Sequence, residues 1–163
     1  MSPAPVRFRD TRRTAYEFSG STLVRCPRCD RVAHFERREG LAAGAPGRTY
    51  PERRLVCRSC GLSRVDTGPH CGPREPGQRC CRPAPALWLR AETRHGELWA
   101  YNLEHLDLIR RFVAADLRER APWYDTGPKM TLVARLPAWI KSAKNRTAVL
   151  HAIDRLRASV ISG

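Results

Sequence analysis

Two short stretches, LVRCPRCDR at residues 23–31 and LVCRSCGLS at residues 55–63, each set two cysteines three positions apart among strand-forming residues. One such pair is ambiguous, but two of them constrain the fold of this chain more than any other feature. Two residues between cysteines allow a tight turn to bring both sulfurs onto one ion. Two such turns supply the four soft donors that Zn2+ takes in a tetrahedron. Cys26, Cys29, Cys57 and Cys60 are therefore the candidate metal ligands, and zinc is the expected cofactor. Backbone N–H groups in each turn point at the sulfurs and offset their charge. The residue after the second cysteine often needs a positive φ, which Gly61 supplies and Asp30, at the matching place, tolerates better than most residues. Arg25, Arg28, Arg31 and Arg58 flank the pairs and would moderate the negative charge of a four-thiolate zinc centre. The segments LVR, AHFERR, RRLV and LSRV have strand character, and GLAAGAPGRT reads as an inserted loop. Together they predict a zinc ribbon with two knuckles at the ends of a small antiparallel sheet. A redox role would need a thioredoxin-like setting, which the sequence lacks. An iron–sulfur centre is the alternative metal group, and catalytic zinc is disfavoured because four protein ligands leave no open position.

The remaining cysteines do not extend this pattern. Cys71, Cys80 and Cys81, with His70 nearby, have no spacing that suits a second ion, since adjacent side chains in extended chain diverge. They are expected to be loop cysteines. Seven cysteines, an odd number with four in CxxC pairs, argue against a disulfide framework. No segment approaches the ~20 apolar residues of a membrane span. The N-terminal stretch has no apolar signal core, so a cytoplasmic protein is expected. Lys and Arg total 30 against 16 acidic residues, a net charge of +14. Such a field draws polyanions, nucleic acid first and anionic membrane second. A GC-rich genome would also raise the Arg content without any selection for binding.

Along the chain, residues 1–20 read as a basic flexible tail, 21–66 as the ribbon, and 67–85 as a Pro- and Gly-rich linker. Residues 86–163 read as a β-hairpin followed by a cluster of three to four helices. The fold class is α+β. In ALWLRAETRHGELWAY, a two-residue turn at His95-Gly96 would place Leu87, Leu89, Ala91, Leu98 and Ala100 on one face. Trp88, Arg90, Trp99 and Tyr101 would share the other, where they could stack on unpaired bases or lie under a helix. Asn102 is the expected N-cap of a helix whose apolar stripe is Leu103, Leu106, Ile109, Val113 and Leu117, with Pro122 ending it. Asp107, Asp116 and Glu119 read as that helix's polar side. MTLVARL is expected to form a short helical piece, and Pro137 to start the next helix. Asn145 is expected to cap the last helix, which buries Val149, Ile153, Leu156 and Val160.

Three stretches together, the ribbon, LWAYNLEHLDLIRRFVAADLRER and LPAWIKSAKNRTAVLHAIDRL, resemble a bacterial family of small proteins with a transcription-factor-IIB-type zinc ribbon. Members are sometimes labelled replication-restart helicase-like. The resemblance covers roughly residues 22–160 and implies a ribbon joined to a helical C-terminal region. It does not carry helicase activity, because the chain has no GxxxxGK[ST] phosphate loop and is too short for motor domains.

The basic element WIKSAKNR offers a candidate nucleic-acid surface. Lys141, Lys144, Asn145 and Arg146, with Trp139 at the edge and Arg135 extending the patch, could contact phosphates beside a helix start. The competing reading is a solvated basic turn in which Asn145 caps and Trp139 packs. His34, His70, His95, His105 and His151 are scattered and match no hydrolytic spacing, so no catalytic residues are expected and the chain is not read as an enzyme. The leading expectation is a non-catalytic zinc-ribbon protein that binds nucleic acid, DNA or RNA, or regulates a nucleic-acid-processing machine. The alternative is an adaptor that docks on polymerase or primosome components, a protein partner in transcription or replication. No membrane partner or small-molecule substrate is expected.

Overall fold

The computed structural model describes residues 5–38, 52–66, 70–71, 82–118 and 131–162. They belong to two compact units. One contains the stretch up to Ser19 together with Arg90–Ser162, and the other is Gly20–Leu89. The chain opens in the first unit with strand β1 (Arg7–Phe8) and helix α1 (Ala15–Phe18).

The Gly20–Leu89 unit is built on four strands, β2 (Ser21–Arg25), β3 (Val32–Arg37), β4 (Arg53–Val56) and β5 (Ser63–Asp66). They pair antiparallel in the order β2-β3-β4-β5. Side chains alternate across a strand, and here one face collects Val24, Ala33, Phe35 and Leu55. These residues form a buried cluster with Cys26 and Cys57, and Cys29, Cys60 and Leu62 pack against it. The outer edge of β2 is covered by Ala86–Trp88. Val24 bridges Leu87, the Arg25 N–H donates to Ala86 O at 2.8 Å, and the Trp88 N–H donates to Leu23 O at 2.9 Å. Ala86–Leu89, assigned from sequence to the hairpin region, therefore lies with the sheet. Within this unit β6 (His70–Cys71) and β7 (Arg82–Pro83) form a parallel pair. The expected insertion loop, most of the linker, and Cys80 and Cys81 lie outside the described residues.

In the other unit, β8 (Arg90–Thr93) and β9 (Gly96–Trp99) form the expected hairpin. Its turn is Arg94-His95, one residue earlier than expected, because Thr93 pairs with Gly96. The Thr93 hydroxyl holds the turn, accepting from the His95 N–H at 3.2 Å and donating to Gly96 O at 2.7 Å. Gly96 is needed there: its φ is +141°, and a Cβ would stand 2.8 Å from Trp139 Nε1. The inward face is as expected, with Leu98 and Ala100 buried.

Helix α2 (Leu103–Ala114) follows, and its cap is the expected one: Asn102 accepts from the His105 N–H at 2.8 Å. Leu106, Ile109 and Val113 are buried. The helix stops earlier than the stripe suggested, because Ala115 turns extended with ψ 138°. Leu117 consequently leaves the stripe and enters β10 (Leu117–Arg118), where it is 44% exposed. Pro122, the expected terminator, lies outside the described residues, as does Glu119.

Strand β10 pairs in parallel with β1. Residues expected to form a loose tail are thus stitched into this unit. Phe8 meets Phe112 edge-on at 5.4 Å. Asp10 accepts from the Thr131 hydroxyl at 2.6 Å, and Arg13 pairs with Glu17 and Glu104. The chain then forms α3 (Leu132–Arg135), α4 (Ala138–Lys141), a 3-10 turn (Ala143–Asn145) and α5 (Arg146–Ser162). Pro137 stands at the start of α4 as expected. α5 packs on α2 and β8 and buries Val149, Ile153 and Leu156, while Val160 is half-buried.

Candidate metal centre and the basic segments

Each CxxC pair folds as the same knuckle. The Cys26 N–H donates to Arg31 O and the Cys57 N–H to Leu62 O, both at 2.8 Å. One residue past the second cysteine, the Asp30 N–H returns to Cys26 O at 2.9 Å and the Gly61 N–H to Cys57 O at 3.0 Å. That return requires the left-handed region, with φ 57° at Asp30 and 72° at Gly61. The first knuckle tolerates a side chain there, and Asp30 reaches back to Arg25 at 3.3 Å.

The two knuckles bring Cys26, Cys29, Cys57 and Cys60 together, with all four sulfurs within 4.8 Å of one another. Cys26 Sγ lies 3.7 Å from Cys60 Sγ, and Cys29 Sγ lies 3.6 Å from Cys57 Sγ. A tetrahedron of sulfurs at the usual zinc bond length of about 2.3 Å has edges of about 3.8 Å. The donor set therefore fits a tetrahedral thiophilic ion, with zinc the natural occupant. The Arg28 N–H points at Cys26 Sγ at 3.4 Å, as a knuckle amide should.

Two of the four sulfurs are shifted in opposite directions by their surroundings. Desolvation opposes the Cys57 thiolate, but the Cys60 N–H and the three neighbouring thiols outweigh it and draw Cys57 down to about 6. For Cys29 the Arg31 N–H favours the thiolate. Desolvation and hydrogen bonding to the Cys57, Cys26 and Cys60 sulfurs nevertheless push it up to about 12. A dication held by these sulfurs would bind them as thiolates, so its binding would release protons.

The basic C-terminal element is built differently from a free cationic surface. Lys141 Nζ donates to Ala134 O, and its carbonyl accepts from Arg118. The Asn145 amide donates to Trp139 O at 2.9 Å, tying the 3-10 turn to α4. Arg146 bridges the end of α2 to the start of α5, donating to Ala115 O at 2.8 Å and to Asp116 at 3.0 Å. Asp116, expected on the polar side of α2, lies past its end and also accepts from the Val6 N–H at 3.1 Å. Trp139 stacks on His95 and covers Gly96. Of the six candidates in this region, Arg135 and Lys144 are the two whose side chains stand exposed. Burial also lowers the pKa of Arg118, helped by the nearby Arg146.

The ribbon arginines contrast with these. Arg28, Arg31 and Arg58 are exposed on the knuckles themselves, within two residues of a cysteine of the cluster. The proposed stacking face is divided. Trp99 and Tyr101 meet edge-on at 5.1 Å and both pack on His105, whereas Trp88 lies in the sheet unit. His105 is 2% exposed, accepts from the Tyr101 N–H at Nδ1 and stacks on Phe18. Burial lowers its pKa to about 4. The sequence offered no signal for the Arg146–Asp116 bridge or for Trp88 joining the sheet, since both depend on distant partners.

Among the described residues no helix is long and apolar enough to cross a membrane. No protein-family model matches the chain, and neither a curated protein nor a solved structure matches it. Of the resemblance read from the sequence, what stands is a four-cysteine cluster on an antiparallel sheet, consistent with a zinc-ribbon-like module, with no family identified.

Proposed function

We propose that the chain is a non-catalytic zinc-ribbon protein that binds nucleic acid through the arginines of its knuckles. The observation that carries this reading is the placement of exposed Arg28, Arg31 and Arg58 around the cysteine cluster, while Lys141 and Arg146 are engaged within the helical unit. Guanidinium groups bind phosphate oxygens bidentately, and the short knuckle turns hold three of them near one another. Four thiolates close the coordination sphere of the ion, so the metal's part is to shape the ribbon rather than to activate a substrate. The wider charge of +14 raises the encounter rate with a polyanion but does not choose the contact surface.

Fluorescence anisotropy of the zinc-loaded protein on labelled single-stranded DNA, duplex DNA and RNA, over a range of salt, tests the proposal. Binding should weaken steeply with salt through counterion release. Each knuckle arginine changed to Ala should lower the salt slope by about 0.9 on a duplex, whereas Lys141→Ala should leave that slope nearly unchanged. Absence of salt-dependent binding to any of the three would sink the proposal and favour an adaptor that docks on a protein of a nucleic-acid machine.

A further inference from the structure

The sheet face opposite the buried cluster carries its own pattern. By register Leu23 and Arg25 of β2 lie on it, with His34 of β3 and Arg54 of β4. Ala86–Trp88 runs antiparallel along β2 and sets Trp88 across from Leu23, so Arg25 is its diagonal neighbour on the same face. Diagonal neighbours of this kind lie within reach of long side chains. The contact is made: the Arg25 guanidinium carbon is 5.1 Å from the Trp88 ring centre. Trp88 is half-buried, and the Arg25 side chain is 48% exposed. Arg25 also directly precedes Cys26, so this indole–guanidinium pair stands beside the first knuckle, next in sequence to Arg28 and Arg31.

An indole face and a guanidinium plane both stack on nucleobases, and neighbouring arginines reach the phosphates between them. A duplex offers the phosphates but keeps its base faces stacked inside. We infer that Trp88 and Arg25 form a stacking platform that selects unpaired strands, an inference that rests on the nucleic-acid reading of the knuckle arginines. Arg25 is partnered by the Asp30 carboxylate at 3.3 Å, whose side chain is 78% exposed. A phosphate would replace Asp30 as the counter-ion, so Asp30 opposes binding.

The test compares a labelled oligothymidylate with a matched duplex, using the full zinc-loaded chain. The single strand is expected to bind about tenfold more tightly than the duplex. Trp88→Ala should weaken single-strand binding about tenfold, in the range of one lost stacking contact, while leaving duplex affinity alone. Trp88→Phe keeps a π-face and should retain most of the affinity. Asp30→Asn, whose side chain still suits a positive φ, should tighten binding a few-fold. Equal affinity for both forms, with the Trp88 variants shifting them together, overturns the inference and leaves the phosphate-binding proposal standing. Should Trp88→Ala fail to fold, Arg25→Gln decides: it must weaken the single strand more than the duplex, and an equal loss overturns the inference. Binding to neither form defeats the proposed function itself, and this inference with it.

Discussion

Among the described residues, the sheet unit buries Val24, Ala33, Phe35 and Leu55 beside two cysteines, with Leu23, Leu87 and Leu89 also buried. The helical unit contains no cysteine and buries Phe18, Leu106, Leu108, Ile109, Val113, Val149 and Ile153. The described apolar cluster of the first is small, and a metal ion held on its four clustered sulfurs would add to its stability. The second is stabilised by ordinary apolar burial at the packing of α2 on α5. Polar bridges such as Arg146–Asp116 add register. The comparison teaches that each unit should respond to a different perturbation.

The largest test of that contrast is metal removal. Zinc in small cysteine sites contributes apparent binding energies of about 10–16 kcal/mol, which is folding energy for the site. Chelation, or Cys57→Ser, should make Gly20–Leu89 protease-sensitive while most of the far-ultraviolet helical signal persists. Limited proteolysis with mass mapping checks this, and loss of the helical signal in parallel would break the comparison. Next in size is Ile153→Ala, which should cost about 2–5 kcal/mol in denaturant unfolding of the helical unit. Zinc affinity, read by competition with a chromophoric chelator, should not move.

Acid offers a third probe. His105 is neutral in the folded state, with its pKa lowered from 6.5 to about 4 by burial. The unfolded chain therefore binds the extra proton first, so the stability is fully present above about pH 6.5 and is lost as pH falls toward 4. The loss across that window is up to about 3 kcal/mol. Unfolding curves of wild type and His105→Gln between those limits should converge in slope for the variant, and an unchanged slope would remove His105 from the account. The smallest effect compares the two knuckles. Gly61→Ala places a Cβ at φ 72° and should cost about 1 kcal/mol, seen as a several-fold loss of zinc affinity. Asp30→Gly should relieve a similar strain in the first knuckle while losing the weak Arg25 pair. A competition titration in which both changes act in the same direction would contradict this.

Much of the candidate site was legible because it is local. The spacing of the cysteines, the glycine after Cys60 and the strand-like flanks all act within a few residues, and the structure realises each. The Asn102 cap and the Val149–Ile153–Leu156 face were legible for the same reason. The basic patch was less legible. Lys141, Asn145 and Arg146 have the residue types of a phosphate site, yet their donors meet carbonyls of Ala134, Trp139 and Ala115. Composition records that a cation is present but not whether a carbonyl has already claimed it.

By itself, then, the sequence determined the four clustered cysteines, the two knuckles on an antiparallel sheet and the succession of hairpin and helices, since each follows from spacing and periodicity along the chain. Only the tertiary structure decided where Trp88 lies, why α2 stops at Ala114, and that the N-terminal residues pair with β10. Those outcomes rest on partners far apart in sequence, such as Val6 with Asp116 and Asp10 with Thr131. A hydrogen bond between distant residues forms only once the packing of the elements between them has set its geometry, and no local pattern encodes it.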